Sequence, residues 1–264
     1  MKTVVITGSG RGFGLEMLKV FRKNNFNCIV CDVNEEVMDE ARASLEAIPG
    51  KGEVYIHPID VTNYDSINKL IEDVSTKFKT IDIWINNAGV NQPDMYFWEL
   101  DDKTISKLVD IDLKGVMYCT NAITSFMLKQ GYGAIYAVEG HGSNNALIPK
   151  LTLYGTSKRA VTYFMDSMNK ELQDKNIIVG KITSGIMMTN FIHNSLGDGD
   201  HIDIDPKTIK IYNILGDYPE TIAANLVPKI INNKKKNPKY VWLTKGRAFG
   251  RFMSAPFKKR NIFK

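Results

Sequence analysis

The sequence predicts an α/β fold: a doubly wound, seven-stranded parallel sheet with helices on both faces, three layers in all. Three observations carry this. Short apolar runs alternate with segments of helical periodicity along most of the chain. The first run ends in a glycine-rich turn, Thr7-Gly-Ser-Gly-Arg-Gly-Phe-Gly14, that opens a helix. Strands separated by helices need crossover connections, and crossovers make a sheet parallel and cover both its faces.

Lys2–Thr7 is the first apolar run, and Gly12 opens a helix with Leu15, Leu18 and Phe21 on one face. Asn27–Asp32 is a second strand; Asn34 caps a helix over Glu35–Ala47 that Pro49-Gly50 stops. Glu53–Ile59 is the third strand. Asn63–Phe78 is helical, with Ile67, Leu70, Ile71, Val74 and Phe78 at helical spacing. Ile81–Asn86, Ala134–Val138 and Ile177–Thr183 are further strands, separated by long helices over Asp101–Lys129 and Thr152–Asp174. Beyond Met187 the pattern breaks into a loop rich in Gly and Asp. Helices near Pro206–Ile214 and Pro219–Asn232 and a last strand, Tyr240–Leu243, follow.

The 264 residues read as one domain, with a variable lid over about 187–217 and a basic tail over about 229–264. No run approaches the ~18 apolar residues of a membrane span, and Val4-Val5-Ile6 is too short for a secretory leader, so a cytoplasmic setting is expected. Cys28, Cys31 and Cys119 have no metal or disulfide spacing and read as core thiols. The net charge of +5 hides an asymmetry: residues 221–264 carry 12 Lys and Arg and no acid, while the remainder is net −7. Such an end suits phosphate, anionic lipid or an acidic subunit face, or is simply a solvated surface. Phe249, Phe252, Phe257 and Phe263 make part of it expected to pack against something.

Two constellations point to chemistry. Gly8, Gly12 and Gly14 let the backbone turn sharply and bring a pyrophosphate to a helix N-terminus. Far downstream, Tyr154 and Lys158 are four apart and share one helix face. A free phenol titrates near pH ~10, so acid/base work near neutrality needs a shift of roughly 3 units, about 4 kcal/mol, which a neighbouring ammonium plus the positive nicotinamide of an oxidised cofactor can supply. Together the cradle and the pair predict hydride exchange with a nicotinamide.

The spacing Thr7-Gly8-x-x-x-Gly12-x-Gly14, the pair Asp60-Val61, the turn Asn86-Asn87-Ala88-Gly89 and Tyr-x-x-x-Lys occur in the order and spacing of the short-chain dehydrogenases/reductases. The chain resembles that family over most of residues 1–190. The resemblance implies a Rossmann-type oxidoreductase that interconverts a carbonyl and an alcohol with NAD(P)(H). It makes Tyr154 the general acid/base, with Lys158 lowering its pKa and holding the nicotinamide ribose. It places Gly8, Ser9, Arg11, Gly12, Phe13 and Gly14 at the cofactor, with Asp32 near its ribose and Asp60 and Val61 near its adenine. Asn87, Ala88 and Gly89 join them, as do Gly185, Ile186 and Thr189 near the nicotinamide. It further implies a small-molecule substrate and a homodimer or homotetramer paired through the two long helices.

Asp32 closes the second strand, where a carboxylate accepts both hydrogen bonds of a ribose diol and repels a 2′-phosphate. Arg11 argues the other way, and the balance favours NAD(H) over NADP(H). The catalytic loop departs from the family pattern. Ala137-Val138-Glu139-Gly140 replaces the usual Asn-x-Ser-Ser, and His141 stands thirteen before Tyr154. Ser143 is the nearest hydroxyl able to orient a substrate carbonyl, with His141 as the runner-up. Asp112 occupies the place of a relay asparagine, and Ser184-Gly185 replaces Pro-Gly. The loop Gly140-His141-Gly142-Ser143 and the C-terminal run Leu226–Ile230, Tyr240–Thr244 and Lys259–Phe263 are similar to the chlorophyll(ide) b reductase-like branch. The altered site also leaves a dinucleotide-sensing protein with little turnover as an alternative.

His193, His201, Asp198, Asp200, Asp203 and Asp205 fit no ligand spacing, so no metal is expected. Lys234-Lys235-Lys236 lacks an aromatic-basic groove, so no nucleic-acid partner is expected; membrane contact through the basic tail is the weaker alternative.

Overall fold

The computed structural model describes residues 1–187, 206–257 and 260–262. Seven strands form one parallel sheet: β1 (Thr3–Thr7), β2 (Asn27–Asp32), β3 (Val54–Pro58), β4 (Ile83–Asn86), β5 (Gly133–Glu139), β6 (Ile177–Thr183) and β7 (Lys239–Val241). Their order is β3-β2-β1-β4-β5-β6-β7, and each strand lies within two residues of the run that predicts it. The order reverses between β1 and β4, which sets the switch point at their carboxyl ends.

The helices are α1 (Gly12–Lys23), α2 (Glu35–Glu46), α3 (Tyr64–Phe78), α4 (Asp102–Val109), α5 (Val116–Gln130), α6 (Thr152–Glu171), α7 (Pro206–Leu215), α8 (Pro219–Ile231) and α9 (Lys245–Ser254). Successive side chains of β1 enter opposite cores. Val4 and Ile6 pack with Met17, Phe21 and Leu226, whereas Val5 packs with Leu70, Ile123 and Val161. Each such aliphatic side chain, fully buried, contributes roughly 1.5–3 kcal/mol. Asn34 caps α2 by accepting from Val37 N, and Asn63 caps α3 by accepting from Asp65 N and Ser66 N. Cys28, Cys31 and Cys119 are buried and unpaired; burial pushes Cys28 and Cys119 up to about 12, so these thiols are inert.

Two expectations need correction. The helix over Asp101–Lys129 is not continuous: a π-helical stretch, Asp110–Gly115, separates α4 from α5. A π-turn accommodates one extra residue, and here it leaves the Asp112 side chain fully buried. The tail contains an additional helix, α9, capped by Thr244, whose hydroxyl accepts from Arg247 N.

Candidate active site

The glycine turn sits at the switch point. Gly8 and Gly12 have φ of +62° and +59°, a left-handed backbone that costs glycine nothing. A Cβ at Gly14 would stand 2.7 Å from both Asn87 Nδ2 and Gly8 O, so α1 meets the turn only because that side chain is absent. Thr7 Oγ1 accepts from Asn87 N and Ala88 N at 3.0 Å, and Asn87 Nδ2 donates to Thr7 O and Gly8 O at 3.0 Å. Asn87 therefore welds the turn to the end of β4. Ser9 is turned inward, its Oγ accepting from Cys31 N at 3.0 Å, while Phe13 packs into the core.

Arg11 takes the cap position of α1 without a side-chain cap, the first turn holds no acid, and Gly12 has open space beside it. These amides fit a pyrophosphate. At the end of β2, Asp32 Oδ1 accepts from Val33 N at 2.9 Å and Oδ2 from Gly10 N at 3.3 Å. Gly10, absent from the predicted set, belongs here: a Cβ on it would lie 3.1 Å from Asp32 Oδ2. Asp60 braces its own turn through Thr62, and Val61, Ala88, Ile111 and Val116 line a narrow apolar crevice beside it. Gly185 (φ +75°) and Ile186 follow β6, and Thr189 lies outside the described residues.

Lys158 is the centre of the candidate catalytic end. Its Nζ lies 2.7 Å from Asp112 Oδ2 and 5.4 Å from the centroid of the half-buried Tyr154 ring. Asp112 Oδ1 accepts from Val90 N at 2.7 Å. A Cβ on Gly89 would stand 3.2 Å from Asp112 Oδ2 and 3.3 Å from Lys158 Nζ, so the Asn-Asn-Ala-Gly turn rests on the ion pair. Burial works to depress the Lys158 pKa, yet the charges of Asp112 and Tyr154 outweigh it and leave that pKa raised. Burial raises the phenol, Lys158 opposes this, and Asp112 adds to it; the net shift is upward. Burial is the main physical reason that Lys158 does not prevail, and the carboxylate in place of an amide adds to it.

The loop after β5 is fitted to the phenol. A Cβ on Gly140 would overlap the Tyr154 hydroxyl and stand 2.8 Å from Tyr154 Cζ. Gly142 (φ +91°) meets α6 backbone to backbone, since a Cβ there would be 2.5 Å from Gly155 Cα. Ser143 is buried beside this contact, its carbonyl accepting from Arg159 Nη1 at 3.3 Å. His141 is half-buried, with Nε2 enclosed and lacking a hydrogen-bond partner, and burial lowers its pKa. Glu139, whose unusual identity suggested drift, is a structural clasp. It accepts from Thr162 Oγ1 at 2.8 Å and Thr183 Oγ1 at 2.7 Å and pairs with Lys239 at 2.8 Å.

Sequence reasoning missed Gln92. Its Oε1 accepts from Tyr154 N at 3.1 Å and its Nε2 donates to Lys150 O at 2.5 Å. The cap residue of α6, Leu151, supplies no side-chain bond, so Gln92 caps this helix from 62 positions upstream. No local motif announces it. His193, His201 and their neighbouring aspartates lie outside the described residues.

A parallel sheet with a glycine cradle at its switch point and a Tyr-x-x-x-Lys helix beside it defines a dinucleotide-dependent oxidoreductase of carbonyl and alcohol groups. Residues 2–198 match the family described as short chain dehydrogenase, and the chain belongs to that family. It is 29% identical over 261 residues to the chloroplastic chlorophyll(ide) b reductase NOL of Oryza sativa, spanning 95% of this chain and 74% of that one. The match to the Arabidopsis thaliana NOL protein, 30% identical, covers 86% of this chain and 64% of the relative. The 3-oxoacyl-[acyl-carrier-protein] reductase FabG of Thermotoga maritima is 30% identical over 71% of this chain and 75% of its own. Levodione reductase shares the fold with a TM-score of 0.83 at 21% identity, covering 94% of this chain and 98% of that one.

Proposed function

We propose that this oxidoreductase uses NAD(H), that Tyr154 exchanges the proton, and that carbonyl reduction is the working direction. One observation carries the reading: Lys158 stands between the Tyr154 ring and a buried carboxylate at the cofactor end of the sheet. The bound dinucleotide supplies or accepts the hydride. In reduction, the Tyr154 hydroxyl gives its proton to the carbonyl oxygen as negative charge gathers there. Lys158 stabilises the phenolate left behind, and Asp112 holds Lys158 in place. Ser143 through its hydroxyl, or a neutral His141 through its imidazole, supplies a second hydrogen bond to that oxygen.

Asp32 supports NAD(H), and the reductase names of the NOL and FabG relatives support the direction. The three unpaired thiols accord with a reducing compartment such as the cytoplasm. Self-association through α5 and α6 is part of the proposal, supported by exposed Leu128 on α5 and Tyr163 on α6.

The test is a carbonyl and alcohol panel followed by nicotinamide absorbance. Tyr154→Phe should lower turnover by about 10²–10⁴-fold with NADH affinity kept; equal rates in both proteins would reject the assigned acid. A second reading, a dinucleotide-binding protein with little turnover, is favoured by the raised phenol and by the capture of Lys158 by Asp112. Tight NADH binding by a wild type that turns over nothing on the panel would establish it.

A further inference from the structure

Gln92 is fully buried, and every hydrogen of its side-chain amide is used. Oε1 accepts from Tyr154 N at 3.1 Å, while Nε2 donates to Lys150 O at 2.5 Å and to Met95 O at 3.2 Å. The two ends of the amide are therefore not interchangeable: one faces an N–H and the other faces two carbonyls. Among side chains of this length, only glutamine offers an acceptor and a double donor. The bonds fall where the chain needs support. Lys150 has φ of +63°, a left-handed backbone that a lysine rarely adopts. Such a conformation persists only when its surroundings fix it. The loop after β4 does so twice, since Gln92 takes the Lys150 carbonyl and Asp94 Oδ2 takes Lys150 Nζ at 3.0 Å. Helix α6 begins two residues further on, at Thr152, without a side-chain bond from its cap residue, and Tyr154 stands in its first turn.

We propose that Gln92 is a positioning residue for the proton transfer: by tying the Lys150 turn to the Tyr154 amide, it sets the start of α6 and so the place of the Tyr154 hydroxyl. The fit of that hydroxyl leaves no slack. A Cβ on Gly140 would overlap it, so a tilt of the first turn of α6 misplaces the phenol against the loop after β5. The effect on turnover rests on the acid/base reading of Tyr154; the hydrogen bonds do not.

Gln92→Glu is the discriminating variant, with kcat for carbonyl reduction compared with wild type at each pH. Its carboxyl keeps the acceptor for Tyr154 N. Ionised, it sets a second oxygen against the carbonyls of Lys150 and Met95; protonated, it donates to one of them and restores the tie. Burial keeps such a carboxyl protonated to higher pH than water does. The ratio of variant to wild type should therefore be lowest at high pH, down about 10²-fold, and recover as pH falls, with NADH affinity by fluorescence unchanged. A ratio near one at every pH, or a loss equal at every pH, overturns the proposal. Hydrogen exchange needs no turnover and uses Gln92→Met, which keeps the length and fills the space without the polar atoms. The Tyr154 amide should exchange at least ~10-fold faster in that variant, while the middle of α6 keeps wild-type rates. Equal protection of the Tyr154 amide in the two proteins overturns the proposal. If the wild type turns over nothing on the panel, the enzymatic reading fails by itself, and exchange decides whether Gln92 holds the start of α6.

Discussion

Lys158 Nζ lies 2.7 Å from Asp112 Oδ2, with both side chains withdrawn from solvent. Burial raises the phenol beside them and Asp112 adds to the rise. Asp112→Asn removes that contribution and leaves the Lys158 charge acting on Tyr154. The phenol should ionise at lower pH, so the rising limb of kcat/KM for alcohol oxidation moves to lower pH. Asparagine keeps an acceptor for Val90 N but strands a buried ammonium, so stability should fall by about 3–5 kcal/mol. A limb that stays in place would detach Asp112 from the proton chemistry.

The same trio predicts where alkali unfolds the protein. Lys158 titrates above the ordinary lysine value of 10.5 in the folded chain, and Tyr154 above the ordinary phenol value of 10.0. A raised lysine contributes stability that is complete below 10.5 and is lost as pH rises through its folded value. A raised phenol acts in the same sense, because above pH 10.0 the unfolded chain ionises first. Melting temperature should therefore drop above about pH 10, and less steeply in Tyr154→Phe. Equal slopes in the two proteins would contradict the assignment.

Gly140→Ala isolates the positioning of the phenol. The added methyl overlaps the Tyr154 hydroxyl, so the ring must leave its place against the loop. A displacement of about 1 Å at a reacting group costs roughly 10²-fold, and a loss of turnover at least that large is expected. The glycine turn proposed to receive the pyrophosphate is elsewhere, so NADH titrated by fluorescence should bind with wild-type affinity. Retained turnover would show that Tyr154 reacts from another position.

The strands were legible because a parallel sheet buries both faces, so each strand is an apolar run bounded by turns. The site divides differently. Gly8, Gly12, Asp32, Tyr154 and Lys158 lie in local motifs, and the structure brings Tyr154 and Lys158 together as their spacing implies. Gln92 could not be read, because its meaning arises only when a loop after β4 folds onto the start of α6. The π-turn at Asp112 was hidden too, since its residues have ordinary helical periodicity. The bracing role of Glu139 was hidden for a related reason: its partners Thr162, Thr183 and Lys239 are scattered along the chain.

Asp32 is expected to set the cofactor choice electrostatically. Its carboxylate accepts from the amides of Val33 and Gly10, which hold it at the end of β2. A 2′-phosphate would bring negative charge against it. At about 4 Å and an effective dielectric constant near 20, each unit-charge pair costs about 4 kcal/mol. Arg11 is exposed, and a solvated ion pair returns only about 0–1 kcal/mol. NADH should therefore be preferred over NADPH by at least ~100-fold in kcat/KM, mostly through KM, because the hydride chemistry of the two is the same. Asp32→Ser removes the repulsion and keeps a hydroxyl for the ribose, so the ratio should move towards NADPH by roughly 10–100-fold. Steady-state rates with one carbonyl and both dinucleotides decide the matter: a wild type that prefers NADPH, or a ratio unmoved by the substitution, would mean that Arg11 or another cation controls the ribose end.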